Sequence, residues 1–174
     1  MLTLQALANW EAAVLASLRG ATGTIEERDA QITRSGLYAE YPVIFTTYLD
    51  IARDADDAAT ALEALKRAVF LAWYGLSEPP VQSGIAELPE TAIRNVLLEL
   101  DRAIRNGTAD DELRWMLAWY HAAFGYVFEH FGPVRALGPF IAGVAADEAL
   151  AHRDERARFA DRGQMGLYWA AALR

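Results

Sequence analysis

The sequence predicts an all-α protein of six or seven helices, packed as antiparallel helical hairpins around a central helix at residues 109–131. Three observations carry this reading. Apolar residues recur at steps of three and four in one segment after another, which is the spacing of a buried helix face. No stretch alternates apolar and polar residues as a half-buried strand does. Capping residues and Gly or Pro breaks punctuate the chain at helix-length intervals.

Residues 2–19 form the first predicted helix, with Leu7, Trp10, Val14 and Leu18 on one side and Gly20 and Gly23 as its stop. Thr24 and Glu27 have capping-box spacing, so a second, polar helix runs from there to about Arg34 and ends at Gly36. Pro42 suits the first turn of a helix reaching Asp54. Asp56 or Asp57 caps the next, Ala58 to Ser77, whose core stripe is Leu62, Leu65, Val69, Ala72, Trp73 and Leu76. The segment Glu78-Pro79-Pro80-Val81-Gln82-Ser83-Gly84 is the strongest break in the chain. Pro89 opens a further helix that stops at Asn106-Gly107.

The central helix follows. Leu113, Met116, Leu117, Tyr120, Phe124, Val127, Phe128 and Phe131 make one face, while Trp115, Trp119, Ala122 and Tyr126 make a second. Only a wedge with Asp111, Arg114, His121 and Glu129 stays polar, so both sides should be covered. Gly132-Pro133 ends it and Gly138-Pro139 breaks the chain again. Phe140 to Phe159 reads as one more helix, and Tyr168 and Trp169 should dock the tail onto the body.

At 174 residues, a single domain spanning 1–174 is expected, long enough to bury roughly 70% of its unfolded surface. Cysteine is absent, which removes disulfides, thiolate zinc sites and thiol nucleophiles. The N-terminus has no basic region and carries Glu11 in its apolar stretch, unlike a secretory signal. The longest apolar run, Ala68 to Leu76, is nine residues, about half a membrane span. These features predict a cytoplasmic protein, and its arginine- and alanine-rich composition suggests a bacterial source.

Net charge is −8 and unevenly placed: residues 1–112 hold 18 acids against 9 bases, residues 113–174 hold 6 against 7. A phosphate backbone or an anionic membrane needs concentrated positive charge, so neither is an expected partner.

Leu71-Ala72-Trp73-Tyr74 recurs as Leu117-Ala118-Trp119-Tyr120, 46 positions later. The interval is near the ~40–47-residue period of helical-hairpin repeats of the HEAT and armadillo type. If residues 42–76 and 89–131 stack as such a pair, Asp54, Asp56 and Asp57 fall on the same edge as Asp110, Asp111 and Glu112. Three acids per turn exceed what capping needs. Chance recurrence in a chain rich in Trp, Leu and Ala is the competing explanation.

Motifs for catalysis are lacking. Neither a Gly-x-Ser-x-Gly elbow nor a phosphate-binding glycine loop occurs. Glu148 and His152 stand four apart, but no repeated Glu-x-x-His pairs accompany them, so no metal or other cofactor is expected. His121 and His130 suit solvated or capping roles. The aromatic residues Trp73, Tyr74, Trp115, Trp119, Tyr120 and Tyr126 suit plain core packing, or could line a ligand pocket with Glu78, a carboxylate ending an apolar helix.

The composition therefore predicts an acidic interaction protein that binds and neutralises a basic protein partner, by analogy with immunity proteins, antitoxins and enzyme inhibitors. Its six acids at 54, 56, 57, 110, 111 and 112 would form the docking rim. The alternative is a small-molecule-binding domain or enzyme using the aromatic pocket between helices.

Overall fold

Local chemistry sets where most helices begin. In the computed structural model, which describes residues 2–132, 134–145 and 147–174, the Ala6 amide donates to the Thr3 side chain and opens α1 (Leu4–Gly20). α2 (Ile25–Ser35) starts on a complete capping box. The Glu27 amide donates to the Thr24 hydroxyl, and the Thr24 amide donates to the Glu27 carboxylate. The helix ends at Gly36, whose φ of 75° is the left-handed conformation that glycine adopts without strain. A 3-10 turn (Leu37–Ala39) leads into α3 (Glu40–Asp54), with Pro42 in its first turn. Asp57 caps α4 (Ala58–Ser77), and α5 (Pro80–Ser83) is a single turn inside the double-proline break. α6 (Glu90–Arg105) follows Pro89, and Asp110 caps α7 (Asp111–Phe124). The chain continues through α8 (Tyr126–His130), α9 (Leu137–Ile141), a 3-10 segment (Glu148–Phe159) and α10 (Gly163–Ala172). The described residues include no strand and no helix long and apolar enough to cross a membrane.

The architecture departs from the sequence expectation at its centre. α4 packs against α3, α5, α6, α7, α8 and α10, and Ala64 to Trp73 is buried without interruption. The segment 109–131 is not one helix. It divides at Gly125, where the Phe128 amide bonds to the Gly125 carbonyl and the chain tightens for a turn. Phe124, placed on the core face by periodicity, is the last residue of α7 and is 41% exposed. α3 and α4 do pack along each other across a short turn, whereas α6 packs on α3, α4 and α9.

The region after α8 differs too. Pro139 sits inside the first turn of α9, where a missing N–H costs nothing, rather than ending an element. The predicted helix from Phe140 to Phe159 is replaced by the end of α9, a turn with Gly143 at φ 79°, and the 3-10 segment. Pro133 and Ala146, part of those two expectations, lie outside the described residues. In a 3-10 helix residues three apart eclipse one another. Here that period aligns His152, Glu155 and Arg158, joined by hydrogen bonds from His152 to Glu155 and from Arg158 to Glu155. An α-helical pitch would fan the three side chains apart.

The aromatic residues form the core's second half. Trp73 stacks on Tyr120 at 4.5 Å between ring centroids, and its Nε1 donates to the Tyr120 carbonyl at 3.1 Å. Trp169 Nε1 donates to the Tyr120 hydroxyl at 2.9 Å, which docks α10 as its aromatic residues predicted. Burying each of these side chains contributes about 2–3 kcal/mol.

Candidate functional site

A groove of about 930 Å³ opens between the C-terminal half of α3, the N-terminal half of α4 and the C-terminal half of α6. Its floor is made by small and aliphatic side chains, among them Ala52, Ala58, Ala61, Leu62, Leu65 and Ala103. Alanine at so many facing positions keeps neighbouring helices from filling the space between them, and that is why the groove exists.

Its charged residues are already satisfied. Arg53 Nε donates to Glu99 Oε1 at 2.8 Å, and Arg102 Nη1 donates to Glu99 Oε2 at 2.6 Å. One turn away, Arg105 pairs with Asp101 on the same helix. The turn that joins α3 to α4 at the same end carries exposed Asp54, Asp56 and Asp57. Asp57 accepts from the Thr60 amide at 2.8 Å and the Thr60 hydroxyl at 2.7 Å, and these bonds hold its carboxyl below the ordinary range. None of the ion pairs among the described residues includes Asp54, Asp56 or Asp57.

The other three predicted acids lie elsewhere. Asp110 caps α7 and accepts from Lys66 Nζ at 2.6 Å. Lys66 lies nine residues after Asp57, about 13 Å further along α4 at 1.5 Å per residue. Asp111 is exposed and borders a separate, polar cavity of about 510 Å³ with Arg114, Glu148 and His152.

Glu112 is the clearest correction. It is only 8% exposed and cannot belong to a solvent-facing rim. Lys66 Nζ donates to its Oε1 at 2.9 Å, Arg162 Nη2 donates to the same atom at 2.6 Å, and Arg158 binds Oε2. Burial alone would raise its pKa, but Arg162 and Lys66 outweigh that effect and hold the carboxyl down at about 2. The cluster continues through Glu63, which accepts from Arg162 Nε at 2.8 Å and Arg67 Nε at 2.7 Å. It knits α4, α7, the 3-10 segment and the start of α10 together.

This cluster escaped the sequence reading, although one signal pointed to it. Lys66 and Arg67 interrupt an apolar helix stripe, and Lys66 is the only lysine in the chain. Charges at such positions must be paired when the helix is buried on every side.

The candidate pocket residues are likewise dispersed. Trp73 is closed in the core. Trp115 is buried against Trp169, edge to face at 4.7 Å, and stacks on His152 at 5.0 Å. Half-buried Trp119 donates to the Tyr168 hydroxyl at 2.7 Å, and exposed Tyr126 donates to the Leu76 carbonyl at 2.7 Å. Tyr74 borders a small cavity beneath α1 and α10. Glu78, half-buried, ends α4 without an arginine partner among the described residues. The aromatic set therefore builds a core rather than one pocket. Among the described residues no three His, Asp or Glu side chains are grouped to hold a metal, Glu148 and His152 included.

The two copies of the recurring tetrapeptide also occupy unlike environments. Trp73 is buried on Tyr120, whereas its counterpart Trp119 is half-buried on Tyr168. Set beside known proteins, the chain matches no family model, no curated protein and no solved structure.

Proposed function

We propose that the protein is an interaction module whose α3–α4–α6 groove receives an amphipathic, basic helix of a partner protein. The groove at the aspartate turn carries this reading. Its apolar floor and volume of about 930 Å³ suit the apolar face of a helix, read through anchors three and four residues apart. Its cations Arg53, Arg102 and Arg105 are paired with Glu99 and Asp101, which leaves one positive charge, and Asp54, Asp56 and Asp57 outweigh it to make this end of the groove acidic. With a net charge of −8 behind them, these acids would speed the encounter with a basic helix more than they would tighten the final complex.

The reading is tested with two synthetic helical peptides sharing one Leu/Ala face, flanked by Lys in one and by Glu in the other. The Lys peptide should bind, with an on-rate that falls as salt rises. Changing Asp54, Asp56 and Asp57 together to Asn keeps the α4 cap and should slow that on-rate markedly at low salt. Ala61→Phe, which fills the groove floor, should remove binding of the Lys peptide. Equal binding of the two peptides, or binding unaffected by Ala61→Phe, would refute the proposal.

A further inference from the structure

The α3–α4–α6 groove has two unlike ends, and two contacts show how its walls run between them. Arg53, the residue before Asp54, pairs with Glu99, so this part of α6 lies beside the α3–α4 turn. Lys66 pairs with Asp110, just beyond α6, so the C-terminal end of α6 lies near Leu65. Along the groove, α6 therefore runs in the same sense as α4. From Ala58 to Lys66 the floor extends about 12 Å at 1.5 Å per residue, about two turns of a bound helix.

The end at the α3–α4 turn is negative. Asp54, Asp56 and Asp57 are exposed there, and the last turn of α3 adds the negative pole of its helix dipole. The opposing positive pole, at the first turn of α4, is met by the Asp57 cap. The far end instead offers cations and donors. The last turn of α6 carries exposed Arg102 and Arg105, and Glu99, which pairs with Arg102, is shared with Arg53. Exposed Asn106 brings two amide N–H donors to the same end.

A helix is itself a dipole, with free N–H groups and positive charge at its first turn and free carbonyls and negative charge at its last. Laid with its first turn on the aspartates, it meets complementary charge at both ends. Reversed, it meets like charge at both. Resting on the reading of the groove given above, we infer that the partner helix docks with its N-terminus at the Asp54–Asp57 turn and carries its cations in that first turn. Its last carbonyls face Arg102, Arg105 and Asn106, and its apolar anchors enter the gaps between Ala52, Ala61 and Ala103. Lysine or arginine in the first turn disfavours an isolated helix, so a segment with that pattern is a recognisable mark of the partner.

The test uses two peptides of one composition and one Leu/Ala face, with blocked termini and a hydrocarbon staple on the opposite face to equalise helicity. One has its lysines in the first turn, the other in the last. By fluorescence anisotropy with the full chain, the first should bind tighter by about fivefold or more. A nitroxide at its N-terminus should broaden the Ala58 amide resonance more than that of Thr108. Changing Asp54, Asp56 and Asp57 together to Asn should bring the two affinities within about twofold. Equal affinities in the wild type, a tighter second peptide, or stronger broadening at Thr108 would overturn the inference. Ala61→Phe tells the two failures apart: if it still blocks both peptides, the groove receives a helix and only the direction is wrong. Binding of neither peptide overturns both.

Discussion

The Tyr48 hydroxyl donates a 2.5 Å hydrogen bond to Glu11 Oε1, joining α3 to α1 in a site closed to water. The Gln164 amide donates to the other carboxyl oxygen at 2.9 Å, and Arg67 Nη1 donates to the Tyr48 hydroxyl at 3.3 Å. Glu11, only 1% exposed, thus ties three distant parts of the chain to one carboxyl group. Burial pushes that carboxyl up to about 7, against the lowering pull of Tyr48, the Gln164 amide and Arg67.

This shift sets a pH dependence of stability. The folded chain keeps the Glu11 proton up to about pH 7, whereas the unfolded chain releases it near 4.5. More protons are bound by the folded state in that window, so the Glu11 contribution falls as pH rises through it, by about 3 kcal/mol, and is level above. Urea denaturation of wild type and Glu11→Gln from about pH 5 to about pH 8 isolates the effect. The wild type should lose stability relative to the variant across that range. Parallel curves would mean that the buried carboxyl is ionised throughout.

Glu112 behaves in the opposite sense. Its pKa is held below the ordinary value, so its contribution is present above about pH 4.5 and lost as pH falls toward 2. At neutral pH, Glu112→Gln leaves Lys66 with only Asp110 and Arg162 with only Glu63, a largely buried cluster one negative charge short, and should cost about 3 kcal/mol. The neighbouring, exposed Asp111→Asn should cost under about 0.5 kcal/mol. Chemical denaturation of the pair distinguishes a buried cluster from a solvated acidic rim, where both would cost little.

Residues on one stripe of α7 differ in how fully they are enclosed. Leu117→Ala should cost about 2–5 kcal/mol and Tyr120→Ala about 3–5 kcal/mol, since both side chains are enclosed. Phe124→Ala, at an exposed ring beside Trp73 and Tyr126, should cost under about 1 kcal/mol, and His121→Ala under about 0.5 kcal/mol. A Phe124 loss as large as that at Tyr120 would mean that the ring is enclosed rather than exposed at the end of α7.

Metal removal offers a fourth check. His152 is engaged with Glu155 at 3.3 Å and stacked on Trp115, an arrangement that uses the ring without a metal. EDTA should leave the melting temperature unchanged, and elemental analysis should find no stoichiometric zinc, iron or manganese. One equivalent of metal per chain would direct mutagenesis to Glu148 and His152 first.

Helical class and most helix starts were legible in the sequence because their causes are local. The Thr24–Glu27 box, the Asp57 and Asp110 caps and the first-turn Pro42 each act within about one helical turn, so their neighbours in sequence are their neighbours in space. Periodicity likewise placed Leu117 and Tyr120 in the core. The groove and the charge cluster were not legible, because their partners come from far along the chain. In the groove Arg53 meets Glu99 across 46 residues, and in the cluster Lys66 meets Glu112 across 46. Whether an acid near a helix start faces water, as Asp111 does, or a buried lysine, as Glu112 does, depends on which helix packs over it. Two adjacent carboxylates look alike in sequence, and only the tertiary packing of α4, α7 and the segment before α10 decided which would be solvated and which would hold the fold together.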